Sequence, residues 1–114
     1  MGKETGIINK LSIDEVGFGY TLSVIDGRYK LMIIYWLSVF KPVMRFNELK
    51  REIGTISYKT LSNTLKDLEK DQLVHRKEYP QVPPKVEYSL TEKGLSLVPI
   101  LDLMCAWGEN HRDV

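Results

Sequence analysis

At 114 residues the chain is long enough for one domain and too short for two. Its 43% hydrophobic and 27% charged residues suit an ordinary soluble protein; no apolar run reaches the ~18 residues of a membrane span, and MGKETGIINK lacks the apolar core of a secretory signal. A single cysteine excludes an internal disulfide framework and fits a reducing cytoplasm.

The net charge of +1 conceals an uneven distribution. Residues 1–26 hold two basic and four acidic side chains, residues 27–85 twelve and six, and residues 86–114 two and five. Positive charge is thus confined to the middle, and phosphate binding depends on that local field rather than on the whole-chain sum.

In chain order, residues 1–13 read as a loose arm. Gly17 and Gly19 discourage helix, while Tyr20, Leu22, Val24 and Ile25 predict a short one ending at Gly27. Residues 28–40 form a second predicted helix, apolar almost all round and therefore expected to be buried on all sides. Pro42 ends it. A short strand is expected at Met44, Arg45 and Phe46. A two-turn helix from Phe46 to Ile53 carries Phe46, Leu49 and Ile53 on one stripe and closes at Gly54. Ser57 then caps a helix from Tyr58 to Asp71, with Ile56 and Leu61 placed as a hydrophobic staple. Val74 to Tyr79 and Lys85 to Leu90 read as paired strands, with Pro80, Pro83 and Pro84 in the loop between them. Thr91 caps a last helix to about His111, stapled by Leu90 and Leu95 and kinked at Pro99.

At 100° per residue, Tyr58, Leu61, Leu65 and Leu68 share one side of their helix and are expected to face the core. Lys59, Asn63, Lys66 and Lys70 take the opposite side, with Thr60 and Asp67 beside them. Asn can bond adenine twice, Lys can reach guanine or phosphate, and Thr can meet a base edge or a thymine methyl. Lys59, Thr60 and Asn63 are the candidates for bases, Ser57 and Lys66 for phosphate, and Arg45 joins the same set. Arg76, Lys77 and Lys85 flank the proline loop, where they serve either as a wing on the phosphates or minor groove or as protection of an open sheet edge. A lysine-rich surface alone is usually only solvated. Here a helix and turn of helix-turn-helix length precede it, a hairpin follows, and the segment is the only net-positive one.

The blocks GRYKLMIIYWL, RFNELKREIGTISYKTLSNTLKDLEKDQLVHRKEYPQVPPKVEYSLTEKG and LMCAWGE together resemble the HxlR-type transcriptional regulators over roughly residues 20–111. The resemblance implies a mainly α fold with a small β-hairpin. It is a winged helix-turn-helix with N- and C-terminal dimerisation helices, the helix-turn-helix at 46–71, the wing at 74–90 and the C-terminal helix at 91–111. It also implies a cytoplasmic homodimer on a pseudo-palindromic, double-stranded DNA operator. Leu97, Leu101, Met104, Cys105 and Trp107 of the last helix, with Tyr20, are the candidate dimerisation residues, since the helix carries more apolar surface than a small monomer readily covers. Several members of the family sense oxidants through an N-terminal cysteine. That place falls near Val16 or Gly17 here, so the role does not carry over, and Cys105 reads as a buried, inert thiol.

No catalytic constellation stands out and no cofactor is expected. His75 and His111 lack metal-ligand spacing, and Gly17 with Gly19 makes only a fragment of a dinucleotide loop. Glu48 and Glu52 share a helical face and read as partners of Lys50, Arg51 and neighbouring chains. Tyr29, Tyr35 and Trp36 are either plain core or the lining of a ligand cavity. Two other functions stay open beside DNA binding: a protein-interaction module, and a sensor of a small-molecule effector or oxidant.

Overall fold

The computed structural model describes residues 12–112. The expected arm at 1–13 therefore lies almost wholly outside the described residues. Its end, Ser12, leads into a short 3-10 turn at Ile13–Glu15. Helix α1 is Gly17–Ile25 and α2 is Lys30–Val39. Strand β1 (Val43–Arg45) is followed by α3 (Phe46–Ile53) and α4 (Tyr58–Lys70). Strands β2 (Val74–Tyr79) and β3 (Lys85–Leu90) form the hairpin, and α5 (Glu92–Leu95) and α6 (Val98–His111) close the described chain. The sheet is antiparallel in the order β1-β3-β2, which leaves β2 at an open edge.

The core lies where α2, α3 and α4 meet one face of this sheet. Ile33, Ile34 and Leu37 come from α2, Leu49 from α3, and Leu61, Leu65 and Leu68 from α4, with Met44 and Tyr88 from the strands. Burying one such side chain stabilises the fold by about 1.5–3 kcal/mol. Their spacing of three and four residues along α4 fixes which way that helix is rotated.

The turn between α3 and α4 requires Gly54, whose φ of +83° lies in the left-handed region. The Ser57 Oγ accepts from the Thr60 amide at 3.0 Å, capping α4 as expected. Helix α4 stops without glycine. Gln72 takes the left-handed conformation (φ 62°), its N–H donates to the Glu69 carbonyl, and the Leu73 N–H donates to that of Leu68. That is a Schellman arrangement, accompanied by burial of both Leu68 and Leu73. Thr91 then fastens the same end: its hydroxyl donates to the Gln72 carbonyl and its amide to that of Leu73.

Several sequence expectations need correction. Gly17 and Gly19 lie inside α1 rather than before it. Gly17 is its first residue, and Gly19 is buried, where close packing outweighs a propensity cost of about 1 kcal/mol. Helix α2 is not buried all round: Tyr35, Val39 and Phe40 are exposed, so its apolar belt exceeds what one chain covers. The final segment is two helices, not one kinked helix. Pro99 sits in the first turn of α6, where its missing N–H would have had no helical partner. The free acids also differ: Glu48 pairs with Lys41 and accepts from the Arg45 amide, rather than with Lys50 or Arg51.

Candidate nucleic-acid interface

With its leucines inward, α4 presents Lys59, Thr60, Asn63, Lys66, Asp67 and Lys70 outward, all exposed. Lys59 and Lys66 form no ion pair with another described residue. The Ser57 hydroxyl is engaged at home: it accepts from the Thr60 amide and donates to Thr60 Oγ1 at 2.9 Å. That leaves the Thr60 hydroxyl proton to be given outward.

Tyr58 departs from the expectation that it faces the core. It is 63% exposed, its ring lies parallel to that of Phe46 (centroids 5.9 Å apart, 7° between planes), and the Lys50 ammonium stands 4.6 Å from its centroid. Angular position on the helix was right and axial position decided the outcome. Tyr58 is about 4.5 Å nearer the helix start than Leu61, beyond the edge of the core, and half-buried Phe46 occupies the place beneath it.

The hairpin divides its cations between two faces. Arg76 lies opposite Tyr88 on the face that carries the core. There it lines, with Ser62, Lys66, Glu69 and Tyr88, a seam of about 310 Å³ between α4 and the sheet. The Tyr88 hydroxyl, and then Glu78 at 3.2 Å, hold its guanidinium more firmly protonated than usual. Lys77, Lys85 and Arg45 share the other face, in cross-strand contact with or next to Glu87. The Tyr79 ring stands between the Lys77 and Lys85 ammonium groups, 5.0 and 4.6 Å from its centroid, and its hydroxyl donates to Glu87 at 2.8 Å. That hydrogen bond, and then Lys85, hold Glu87 below the usual carboxylate range. The structure thus brings Lys66 and Arg76 together on one side, and Arg45, Lys77 and Lys85 on the other.

At the opposite end of the molecule, Leu31, Met32, Tyr35 and Trp36 of α2 and Leu101, Met104 and Cys105 of α6 line an apolar groove of about 380 Å³. Of the candidate dimerisation residues, Leu101 is buried in its own chain and Leu97 packs partly on that core, while Tyr20, Met104 and Trp107 are exposed. Cys105 is exposed, against expectation: it shares a face of α6 with buried Leu101 but lies one turn further along, past the edge of the core. Its contact with Tyr35, reinforced by Asp102 and Glu109, pushes the Tyr35 phenol up. Among the described residues no group of three or more His, Cys, Asp or Glu is placed to hold a metal ion, and no helix is long and apolar enough to cross a membrane.

Comparison with known proteins decides the family, since the HxlR-like helix-turn-helix family matches over residues 24–114. The chain belongs to that family. An HTH-type transcriptional regulator of Halalkalibacterium halodurans is 60% identical over 102 residues, covering 90% of this chain and 89% of the relative. The redox regulator HypR in its oxidized form superposes with a TM-score of 0.75 at 47% identity, covering 83% of this chain and 96% of HypR. A transcriptional regulator designated YtcD gives 0.80 at 45% identity, covering 84% and 96%. Within this HxlR-like frame, Asn47, Lys50 and Arg51 of α3, the last two expected only as partners of Glu48 and Glu52, lie beside Gly54 and Tyr58. Their proximity to Tyr58 across the turn is visible only once α3 and α4 are packed.

Proposed function

We propose that the chain is a cytoplasmic, sequence-specific regulator of transcription that binds double-stranded DNA as a homodimer. The single observation that carries the reading is the outward face of α4, with Lys59, Thr60, Asn63 and Lys66 exposed opposite three buried leucines. That helix enters the major groove by its N-terminal half, where Asn63 and Thr60 reach base edges. Lys66 and Arg76 meet phosphate on the seam side, and Arg45, Lys77 and Lys85 meet it along the wing. Two copies read a pseudo-palindromic operator whose half-sites lie about one DNA turn, roughly 34–36 Å, apart. The reading contains no catalytic step and needs no cofactor.

The homodimer rests on unpartnered apolar surface. Phe18, Tyr20 and Leu22 of α1, Val39 and Phe40 at the end of α2, and Leu103, Met104 and Trp107 of α6 are all exposed. Selection of bound duplexes from a random pool tests binding, symmetry and spacing together. Enrichment of an inverted repeat is expected, and recovery of an unselected pool overturns the reading.

A redox- or ligand-responsive variant of the same reading is favoured by one observation: exposed Cys105 in the wall of an apolar groove, in a chain similar to a redox regulator. Reactive cysteines stand beside positive charge, whereas Cys105 lines an apolar groove with Leu31, Met32, Tyr35, Trp36, Leu101 and Met104, none of them a cation. Cys105 is therefore assigned to packing between copies. Cys105→Ser is expected to leave the response of DNA binding to oxidant unchanged, and a variant that lost such a response would reverse the assignment.

A further inference from the structure

Lys93 of α5 lies outside both the core and the DNA face, yet its ammonium is held from two sides. It donates to the Tyr20 hydroxyl of α1 at 2.7 Å and to the Asp71 carbonyl at 2.9 Å, and it stands 5.4 Å from the Tyr20 ring centroid. Asp71 caps the end of α4, where unpaired carbonyls gather partial negative charge and a cation is favoured. Among the described residues, the bond to Tyr20 is the only side-chain hydrogen bond from α1 to a later element. Helix α5 is a firm mount for this link. Thr91 ties it to the Gln72 and Leu73 carbonyls, and Gly94 lies so close to the Leu73 carbonyl oxygen that a Cβ there would stand 2.2 Å away. On α1, Tyr20 shares a side with buried Val24, while exposed Phe18 and Leu22 share the opposite side. Lys93 therefore grips the inner side of a helix whose outer side is left for a partner copy.

We propose that Lys93 is a positioning residue that sets the half-site spacing the dimer accepts, by tying Tyr20 of α1 to the Asp71 carbonyl at the end of α4. The inference rests on the DNA-binding homodimer and adds to it what fixes each α4 relative to the seam between copies. Helix α4 runs about 20 Å and is pinned along its length by Leu61, Leu65 and Leu68. Slack at its far end becomes tilt at the end that reads bases. One base pair added between half-sites displaces one of them by about 3.4 Å. A tied α4 resists that displacement, and a loosened one partly follows it.

The test measures affinity by fluorescence anisotropy for three kinds of duplex: the selected operator, the same operator with one base pair added or removed between half-sites, and a single half-site. The parent is expected to bind the altered spacings more weakly than the operator. Lys93→Met keeps the side chain's length and loses its donors. It is expected to shrink the spacing penalty about fivefold, the low end of usual coupling between sites, with half-site affinity unchanged. Lys93→Arg keeps a charged multiple donor and is expected to retain the penalty. Tyr20→Phe keeps the ring and removes the accepting oxygen. It is expected to shrink the penalty too, and joining it to Lys93→Met should shrink it no further than Lys93→Met alone. Equal weakening of every duplex by Lys93→Met would assign the residue to stability, and an unaltered penalty would assign it no role; either overturns this inference alone. A parent that binds its operator but ignores spacing overturns it as well. Failure of the parent to bind any duplex overturns the DNA reading and this inference together.

Discussion

Asn63 and Lys66 stand one turn apart on α4 and have different work. An asparagine that bonds adenine twice discriminates between bases, whereas a lysine on phosphate does not. Asn63→Ala is expected to cost about 1–3 kcal/mol at the operator and little on random duplex, relaxing preference at one position. Lys66→Ala is expected to weaken both alike and flatten the salt dependence by about one unit. Competition binding at several salt concentrations separates the two, and equal losses for Asn63→Ala would remove it from the base contacts. Much of this face was legible in the sequence because leucines at positions 61, 65 and 68 fix the rotation of α4 without knowledge of anything else. What they do not fix is depth along the axis, which is why Tyr58 was misplaced. Cys105 departs from expectation for the same reason: it shares a side of α6 with buried Leu101 and lies one turn beyond the point where the core ends.

At the scale of elements, the strands and the α3–α4 turn followed from local chemistry, since prolines, Gly54 and Ser57 each permit few backbone states. The end of α4 was not legible, because Gln72 in the left-handed region is held by its surroundings rather than preferred by its type. Those surroundings are α5 and the end of β3. A Cβ added at Gly94 would stand 2.2 Å from the Leu73 carbonyl oxygen, which itself accepts from the Thr91 amide. Gly94→Ala is therefore expected to destabilise the fold by on the order of 3 kcal/mol in urea denaturation, and a stability within 0.5 kcal/mol of the parent, roughly the spread of neutral surface changes, would show that the contact yields freely. At the start of α3, Lys41 and then the Arg45 amide hold Glu48 below the usual carboxylate range. Its contribution is complete above the unfolded carboxylate value of about 4.3 and fades as pH falls through the lower folded value. The stability gap between the parent and Glu48→Gln is expected to be widest near neutrality and to narrow in acid as the folded carboxylate takes up its proton. A gap that persists there would place the effect in packing.

For the molecule as a whole, the polar face of α4 and the apolar surfaces of α1, α2 and α6 make opposite demands. One needs water or nucleic acid, the other needs cover, and patches of this size rarely stay open on a soluble monomer. Leu103, 70% exposed on α6, is a sensitive place to ask whether a second copy supplies that cover. Leu103→Glu introduces a charge that an apolar seam does not accept, while a single exposed substitution leaves the chain's own core intact. Sedimentation velocity is expected to show the variant as monomer at concentrations where the parent is dimeric. Its operator affinity should fall steeply, because two linked half-sites become two separate weak ones. A monomeric parent would leave these exposed apolar faces without an explanation.

Only two tryptophans occur in the chain: half-buried Trp36 of α2 lines the α2–α6 groove, and Trp107, 66% exposed, stands further along α6. Intrinsic emission is therefore an optical gauge of whether that groove is wet. Dilution that parts two copies should move the spectrum toward the red with no dye attached, and a titration with duplex should leave the wavelength alone unless occupancy of the DNA and closure of the seam are linked.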